Sequence, residues 1–223
     1  FSTTIALIVG SILVYLYAMV DAFLVARKSS DYTLKAYNRW YYYLLHWIVF
    51  GLVLQLTLSI GFRRYCYEAF SIPSVSMEPT LKVGDYLLVK KFSLSPVPVE
   101  RGDLVVFVSP DDPSIKIIKR VIGLPGELIE VAKQSVTINE VLLDEPYAHW
   151  DSSDRIGFGD FAAQQIPPDS YFLMGDNRDR SKDSRFYTNP FISRSQIQGK
   201  ALYIYWNSSG NLQRLGLRLD NKS

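Results

Sequence analysis

The chain has 223 residues, of which 48% are hydrophobic, and this is enough for one sizeable domain or for a smaller domain with a membrane anchor. Its 24 basic and 22 acidic side chains nearly balance, so the chain has no strong positive field suited to a nucleic-acid partner. The single cysteine, Cys66, excludes an intramolecular disulfide and a metal cluster built on cysteines.

The first apolar run extends from Ile5 to Val20 and is followed by Asp21. Its length also fits the core of a cleaved signal peptide. Neither a basic segment before the run nor a small-residue cleavage site after it is present, so residues 1–26 are interpreted as a first transmembrane segment. The sequence begins without a methionine, and a truncated first segment is therefore one interpretation.

The second apolar run, Tyr41 to Phe62, contains 22 residues and no aspartate, glutamate, lysine or arginine. At a rise of about 1.5 Å per residue, a helix of this length covers roughly 30 Å, the thickness of the bilayer core. Aromatic residues lie at both ends of the run, as they do at membrane interfaces. The run predicts a transmembrane helix over residues 41–62.

The loop between the two runs, residues 27–40, holds four basic residues and one acidic residue, and only two arginines directly follow the second run. Basic loops stay on the cytoplasmic side of a membrane. This bias predicts a multi-pass protein with a cytoplasmic loop and with residues 63–223 on the extracytoplasmic side.

Short apolar runs separated by turn residues follow residue 70 and predict a mainly β domain. The predicted strands are Tyr86–Phe92, Asp103–Val108, Ile115–Ile122, Leu128–Val131, Val136–Ile138, Val141–Leu143, Tyr171–Met174 and Ala201–Trp206. A polar segment at about 148–168 is expected to be an irregular insertion without regular elements.

A serine-rich segment, FSIPSVSMEPTL from Phe70 to Leu81, begins soon after the second apolar run. Pro73 and Pro79 bracket its central serines and stiffen the backbone. Such rigidity suits a nucleophile whose hydroxyl must point in one direction, and Ser76 is a candidate. A turn with a purely structural role is the alternative for this segment taken alone.

A lysine is the better candidate for the general base, because His46 lies inside an apolar run and leaves only one other histidine. Burial can lower the pKa of a lysine toward neutrality. Read as a strand, SIKIIKRVIG places on one face the row Ile115, Ile117, Lys119 and Val121. Lys116 and Arg120 fall on the other face, where we expect solvent. The alternative for Lys119 is a lysine that extends to the surface or forms a salt bridge.

A third polar cluster, MGDNRDRSKDSR from Met174 to Arg185, directly follows a predicted strand. A calcium-binding loop is disfavoured, because glycine is absent from the sixth loop position and glutamate from the twelfth. We expect Asp183 and Arg185 to form a structural ion pair and a serine hydroxyl to reach the base.

Four segments occur in an order that resembles the type I signal peptidases, the Ser–Lys proteases of bacterial membranes. They are SVSMEPTL, RGDLVVF, KRVIGLPGE and GDNRDRSKDSR. The resemblance covers about residues 40–206. It implies a mainly β extracytoplasmic catalytic domain of signal-peptidase type, held by N-terminal transmembrane helices, and it implies no metal and no other cofactor.

The resemblance also implies roles for individual residues. Ser76 matches the nucleophile, Lys119 the general base, Ser74 an oxyanion donor and Ser181 the serine that orients the lysine amine. Asp183 and Arg185 match a structural pair, and Asp176 matches a supporting acid. Residues near the substrate pockets are matched by Phe70, Ile72, Met77, Leu81 and Ile118. The chain departs from the family at Arg180, where asparagine is usual, so the geometry of that loop is in question.

The resemblance implies that the substrates are signal peptides of exported preproteins and that the enzyme lies in a bacterial cytoplasmic or thylakoid-type membrane. Contact with the lipid bilayer and with the export machinery is also implied. Two alternatives remain at this point: another Ser–Lys processing protease, and a non-catalytic membrane scaffold derived from the family. Intact Ser76, Lys119 and Ser181 favour an enzyme.

Overall fold

The computed structural model describes residues 40–92, 98–150 and 159–219, together with seven isolated helical residues between Tyr17 and Lys28. Most of the first predicted transmembrane segment, most of the loop at 27–40 and residues 151–158 of the predicted insertion lie outside the described residues. The chain divides into two compact units, residues 1–61 and 62–223.

Helix α1 extends over Trp40–Tyr65, so the predicted apolar helix is present and slightly longer than expected. Within it, Leu44–Gly61 has a mean hydropathy of 1.8, and none of these residues is buried inside the structure. By length and composition it is the one helix among the described residues that could cross a membrane. Its passage through a bilayer stays a prediction.

The second unit is built from antiparallel strands, which confirms the predicted mainly β domain. The larger sheet has the order β1-β2-β11-β3-β4-β9-β10. Its strands are β1 (Tyr67–Ser71), β2 (Asp85–Lys91), β3 (Leu104–Val108), β4 (Lys116–Gly123), β9 (Ser170–Met174), β10 (Ile192–Ser193) and β11 (Ile197–Asn207). The central strand β3 is almost wholly buried, as expected for an apolar run without polar alternation.

The smaller sheet has the order β7-β6-β5-β8. Its strands are β5 (Leu128–Ala132), β6 (Ser135–Ile138), β7 (Val141–Leu142) and β8 (Phe161–Gln165). Positive φ angles at Asn139 (50°) and Glu140 (68°) form the two-residue turn between β6 and β7.

The prediction of an irregular segment at about 148–168 is partly wrong, because Phe161–Gln165 forms strand β8. Four of its five side chains are exposed, so the segment shows none of the apolar alternation that identifies a strand. It becomes a strand through backbone pairing with β5 at the sheet edge. Strand β1 was missed for a similar reason, since its side chains are only partly buried or exposed.

Three hydrophobic clusters stabilise this unit. The cluster that lies under the serine-rich segment consists of Ile72, Met77, Leu81, Leu87, Val89, Leu104, Val106, Ala201 and Ile204. It anchors one side of that segment in the core of the larger sheet, which fixes the position of the serines.

Candidate active site

Ser76 lies in the connection between β1 and β2. This connection is closed at its ends by backbone hydrogen bonds of 2.9 Å, from Ile72 N–H to the carbonyl of Asp85 and from Gly84 N–H to the carbonyl of Ile72. Ser76 is 8% exposed, and the next residue, Met77, is buried in the core. The serine is therefore held on a short, anchored turn.

Lys119 lies on β4, where it is paired in register with Val105 of β3. Its side chain is 2% exposed, and its Nζ donates to Ser76 Oγ at 2.7 Å. These two atoms come from positions 43 residues apart and meet in a buried environment. Ser74 Oγ lies 3.2 Å from Ser76 Oγ, on the exposed side of the pair.

Burial lowers the pKa of the Lys119 ammonium from 10.5 to about 8. The carboxylates of Asp183 and Asp176 oppose the shift, and the positive charge of Arg185 adds to it. The amine is therefore neutral in a large fraction of molecules near pH 8, as a proton acceptor must be.

The predicted pair of Asp183 and Arg185 is present and buried. Arg185 donates from Nε to Asp183 Oδ1 and from Nη2 to Oδ2, both at 2.9 Å. Gly175 N–H also donates to Oδ2 at 3.0 Å. Burial alone would raise the pKa of the Asp183 carboxyl, but the hydrogen bonds from Arg185 outweigh burial and hold that pKa below its ordinary value.

The expectation that Arg120 faces solvent is wrong. Arg120 is 5% exposed and forms a bidentate pair with Asp176, from Nε to Oδ1 at 2.8 Å and from Nη2 to Oδ2 at 2.6 Å. Its guanidinium also lies 4.0 Å from the centre of the Tyr147 ring. A carboxylate and an aromatic ring replace the water that an arginine on a strand would otherwise need. Lys116, on the same face, stays at the surface beside Glu68 at 3.0 Å.

A third buried pair, which was not predicted, joins Arg178 to Glu145. Arg178 donates from Nη1 to Oε2 at 2.9 Å and from Nη2 to Oε1 at 2.5 Å. Its Nε donates to the carbonyl of Gly175, and its own carbonyl accepts from Arg185 at 2.7 Å. The high density of arginine and aspartate in GDNRDR was the only local sign of a buried ion pair. It could not identify the partner, because Glu145 lies 33 residues away in the sequence.

Ser181 is buried near Ser76, but among the described residues its hydroxyl forms no hydrogen bond with Lys119. A Cβ added at Gly175 would lie 2.3 Å from Ser181 Oγ and 2.4 Å from the carbonyl oxygen of Ser76. Only glycine fits between these two groups, so Gly175 brings the loop after β9 against the serine turn. Asn177 N–H then donates to the Ser76 carbonyl at 3.2 Å.

A groove of about 360 Å³ leads to Ser76 and Lys119. It runs between the end of β1 and the start of β4, and four of the five predicted pocket residues line it: Phe70, Ile72, Met77 and Ile118. Leu81 does not line the groove, because it is fully buried in the hydrophobic cluster below. The largely apolar lining suits apolar or small side chains of a peptide.

No group of three histidine, cysteine, aspartate or glutamate side chains that could hold a metal ion occurs among the described residues. The acidic side chains nearest the pair are instead engaged by arginines, as described above. The site itself presents a hydroxyl beside a buried amine.

The chain matches a family model described as signal peptidase, peptidase S26, over residues 44–206. It is similar to the probable signal peptidase I-2 of Synechocystis sp., with 36% identity over 182 residues, or 78% of each chain. The signal peptidase I of Leptolyngbya laminosa is 39% identical over 160 residues, which cover 69% of this chain and 75% of that relative. A crystal structure of a signal peptidase I from Enterococcus faecalis is 34% identical, covers 47% of this chain and 97% of that chain, and has a TM-score of 0.41.

Proposed function

Because the chain belongs to the signal peptidase family, peptidase S26, we propose that it removes signal peptides from exported preproteins with Ser76 as nucleophile and Lys119 as general base. The observation that carries this assignment is the buried contact of 2.7 Å between Lys119 Nζ and Ser76 Oγ. A neutral amine at this distance can accept the serine proton directly.

The reaction begins when Lys119 takes the proton from Ser76 Oγ and the oxygen attacks the scissile carbonyl carbon. The resulting oxyanion accepts hydrogen bonds from Ser74 Oγ–H and from the Ser76 backbone N–H. The position of Ser74 Oγ, 3.2 Å from the attacking oxygen, supports this role. A single oxyanion donor contributes about 10²–10³ to the rate.

The ammonium of Lys119 then gives its proton to the leaving amine, the C–N bond breaks, and an acyl-enzyme ester remains on Ser76. In the second half, Lys119 removes a proton from water, which attacks the ester and frees the serine. Asp183 and Arg185 act on the amine through their charges. We include an orienting role for Ser181, because its buried hydroxyl lies close to the Ser76 carbonyl.

We further propose a multi-pass protein of a bacterial cytoplasmic or thylakoid-type membrane, with the catalytic domain on the extracytoplasmic side. The basic loop at 27–40 and helix α1 support this arrangement. A signal peptide places an apolar core in the bilayer and its cleavage site just outside. An anchored enzyme therefore meets the cleavage site at the membrane surface. We propose that it also contacts the export machinery there.

The test uses the full chain, purified in detergent and incubated with a preprotein, and the new N-terminus is identified by sequencing. We expect one cut directly after the signal peptide. Ser76→Ala and Lys119→Met should each reduce the rate by far more than tenfold, because both residues serve one proton transfer. Lys90→Ala, at an exposed lysine of β2, is the matched control and should cleave normally.

Residual activity above about a tenth of the wild-type rate in either variant would contradict the Ser–Lys assignment. If the wild-type chain itself binds preproteins without cutting them, the chain acts as a scaffold and the proposed function fails.

A further inference from the structure

The segment that follows β11 runs over the surface of the second unit. Of the eleven residues from Ser208 to Arg218, all are exposed except Arg214. Arg214 is the last residue of a short 3-10 helix, Leu212–Arg214, and its side chain is only 12% exposed. This surface segment therefore directs one cation inward, and the mechanism described above makes no use of it.

The side chain of Arg214 reaches into the serine turn, residues 72–85, which carries Ser76. Its Nη2 donates to the backbone carbonyl of Thr80 at 2.9 Å, and its Nε donates to Asp85 Oδ1 at 3.0 Å. Nη2 also donates to Asp85 Oδ2. Asp85 is the first residue of β2 and closes the turn. Arg214 therefore links a point inside the turn to the residue at its base, from a position 129 residues later in the sequence.

Asp85 gives this link a fixed base. Its buried carboxylate also accepts hydrogen bonds from the backbone N–H of Lys82 at 2.8 Å and from the side-chain amide of Asn207 at 2.6 Å. Burial alone would raise the pKa of the Asp85 carboxyl, but the hydrogen bonds, foremost that from Arg214, outweigh burial and lower that pKa. The carboxylate therefore stays charged and holds the guanidinium in one orientation.

The Thr80 carbonyl belongs to a peptide unit that is held at both ends. The same planar unit contains the N–H of Leu81, which donates to the carbonyl of Met77 at 2.8 Å. Because the unit is planar, a carbonyl fixed by Arg214 also fixes the direction of this N–H. Met77 directly follows Ser76, so the bond from Arg214 is passed on to the residue next to the proposed nucleophile.

The position of Ser76 matters because the proposed proton transfer to Lys119 spans 2.7 Å. A displacement of about 1 Å can reduce a rate by about 10²-fold. Other contacts also hold the turn, since Met77 and Leu81 lie in the hydrophobic cluster below it and Asn177 N–H donates to the Ser76 carbonyl. Loss of Arg214 should therefore shift the turn without unfolding it.

We propose that Arg214 is a positioning residue, which holds the serine turn so that Ser76 Oγ stays within reach of Lys119. This inference rests on the proposed function and adds to it a residue outside the four segments that resemble the family. Arg214, Thr80 and Asp85 do not line the groove. Loss of Arg214 should therefore lower kcat and leave KM nearly unchanged.

The first test compares variants of the full chain in detergent on one preprotein. For Arg214→Met we expect kcat to fall by about tenfold and KM to change by less than about twofold. Arg214→Lys keeps a charge for Asp85 but loses the planar fork, so its kcat should be intermediate. Arg101→Met is the matched control, because Arg101 also binds a carboxylate, that of Glu127, and a backbone carbonyl, that of Ile122, outside the groove and the serine turn. It should keep kcat within about twofold of the wild-type value.

A double variant separates the two bonds that Arg214 makes. Arg214→Met removes the partner of both the Asp85 carboxylate and the Thr80 carbonyl. Asp85→Asn combined with Arg214→Met removes the buried charge but does not restore the bond to Thr80. The double variant should regain part of the unfolding temperature that Arg214→Met loses, while its kcat stays about tenfold below the wild-type value. A residue that only neutralised Asp85 would restore both quantities together.

Hydrogen exchange of the backbone amides tests the same link without activity. Arg214→Met, alone or with Asp85→Asn, should speed exchange within residues 72–85, including the N–H of Leu81, and leave exchange in β3 unchanged. Unchanged exchange in the turn, a wild-type kcat for Arg214→Met, or a kcat that recovers in the double variant overturns the positioning role and leaves the proposed function intact. Failure of the wild-type chain to cut the preprotein contradicts the proposed function, and hydrogen exchange then still decides whether Arg214 holds the turn.

Discussion

At the scale of single residues, burial and nearby charges set the protonation state of Lys119, the proposed general base. Burial lowers the pKa of its ammonium to about 8, although the carboxylates of Asp183 and Asp176 both favour the charged form. Their effect is limited because arginines already pair with them at distances below 3 Å. The amine thus keeps two negative neighbours without becoming permanently protonated.

The first prediction at this scale concerns pH. In the proposed mechanism the neutral amine is the active form. The kcat/KM of the wild-type chain should therefore rise with pH through about 8, the pKa of the Lys119 ammonium in the free enzyme. Ile117→Asp places a carboxylate beside the amine in the groove, where it favours the ammonium and should move this rise to higher pH. Ile117→Asn has the same shape without the charge and is the control. Profiles of kcat/KM against pH on the purified proteins provide the measurement.

A wild-type profile that rises only above pH 10 would contradict the depressed pKa. Coincident profiles for the aspartate and asparagine variants would contradict the electrostatic control of Lys119.

At the scale of elements, strand β4 carries the base and a buried ion pair on successive residues. Lys119 points toward Ser76, and Arg120 points to the other face, where it pairs with Asp176. Asp176 belongs to the loop after β9, the strand that pairs with β4. The ion pair therefore fastens that loop to the strand that carries the base.

The prediction for this element is a large loss of stability when one partner is removed. Arg120→Met leaves the carboxylate of Asp176 buried without its bidentate partner, which costs about 3–5 kcal/mol. For a chain of this size we expect the unfolding temperature to fall by about 10 °C or more. Thermal unfolding of the full chain in detergent measures the loss.

The double variant Arg120→Met, Asp176→Leu removes both charges and should be clearly more stable than Arg120→Met alone, because no uncompensated charge remains. Equal unfolding temperatures for the single variant and the wild type would mean that water, rather than protein, solvates Asp176.

At the scale of the whole molecule, the chain divides into two compact units, residues 1–61, which we propose as the anchor, and residues 62–223, which hold the proposed active site. Every member of the three hydrophobic clusters lies after residue 62. Among the described residues, the unit after residue 62 therefore supplies its own hydrophobic cores. In the proposed arrangement the first unit attaches the enzyme to the membrane, which would raise its local concentration near bilayer-bound substrates.

The prediction at this scale is that residues 62–223 fold alone and keep the chemistry. We expect cooperative thermal unfolding, and kcat/KM for a short soluble peptide within about threefold of the value for the full chain. Cleavage of a preprotein embedded in vesicles should fall by about 10²-fold or more, since the effective concentration from anchoring is lost. The same fragment with Ser76→Ala is the control for contaminating proteases.

A fragment that unfolds without cooperativity would show that the anchor is needed for folding. Equal rates on vesicle-embedded preprotein for the fragment and the full chain would contradict the anchoring role.

The sequence by itself determined the features that depend on local pattern. Alternating or continuous apolar runs predicted eight strands that the structure contains, and the uncharged run at 41–62 predicted helix α1. The resemblance of four segments to the signal peptidases singled out Ser76 and Lys119, whose side chains the fold brings to 2.7 Å. Period and composition are properties of neighbouring residues, so they can be read along the chain.

Only the tertiary structure decided which charged groups are buried and which edges are paired. Arg120 was predicted to face solvent, because no local pattern pointed to its partner Asp176, which is 56 residues away in the sequence. Strand β8 exists because its backbone completes the edge of β5, and Leu81 lies in the core instead of the groove because the serine turn folds down onto the sheet. Burial and pairing depend on contacts between distant segments, and their free energies are set by partners that no local pattern specifies.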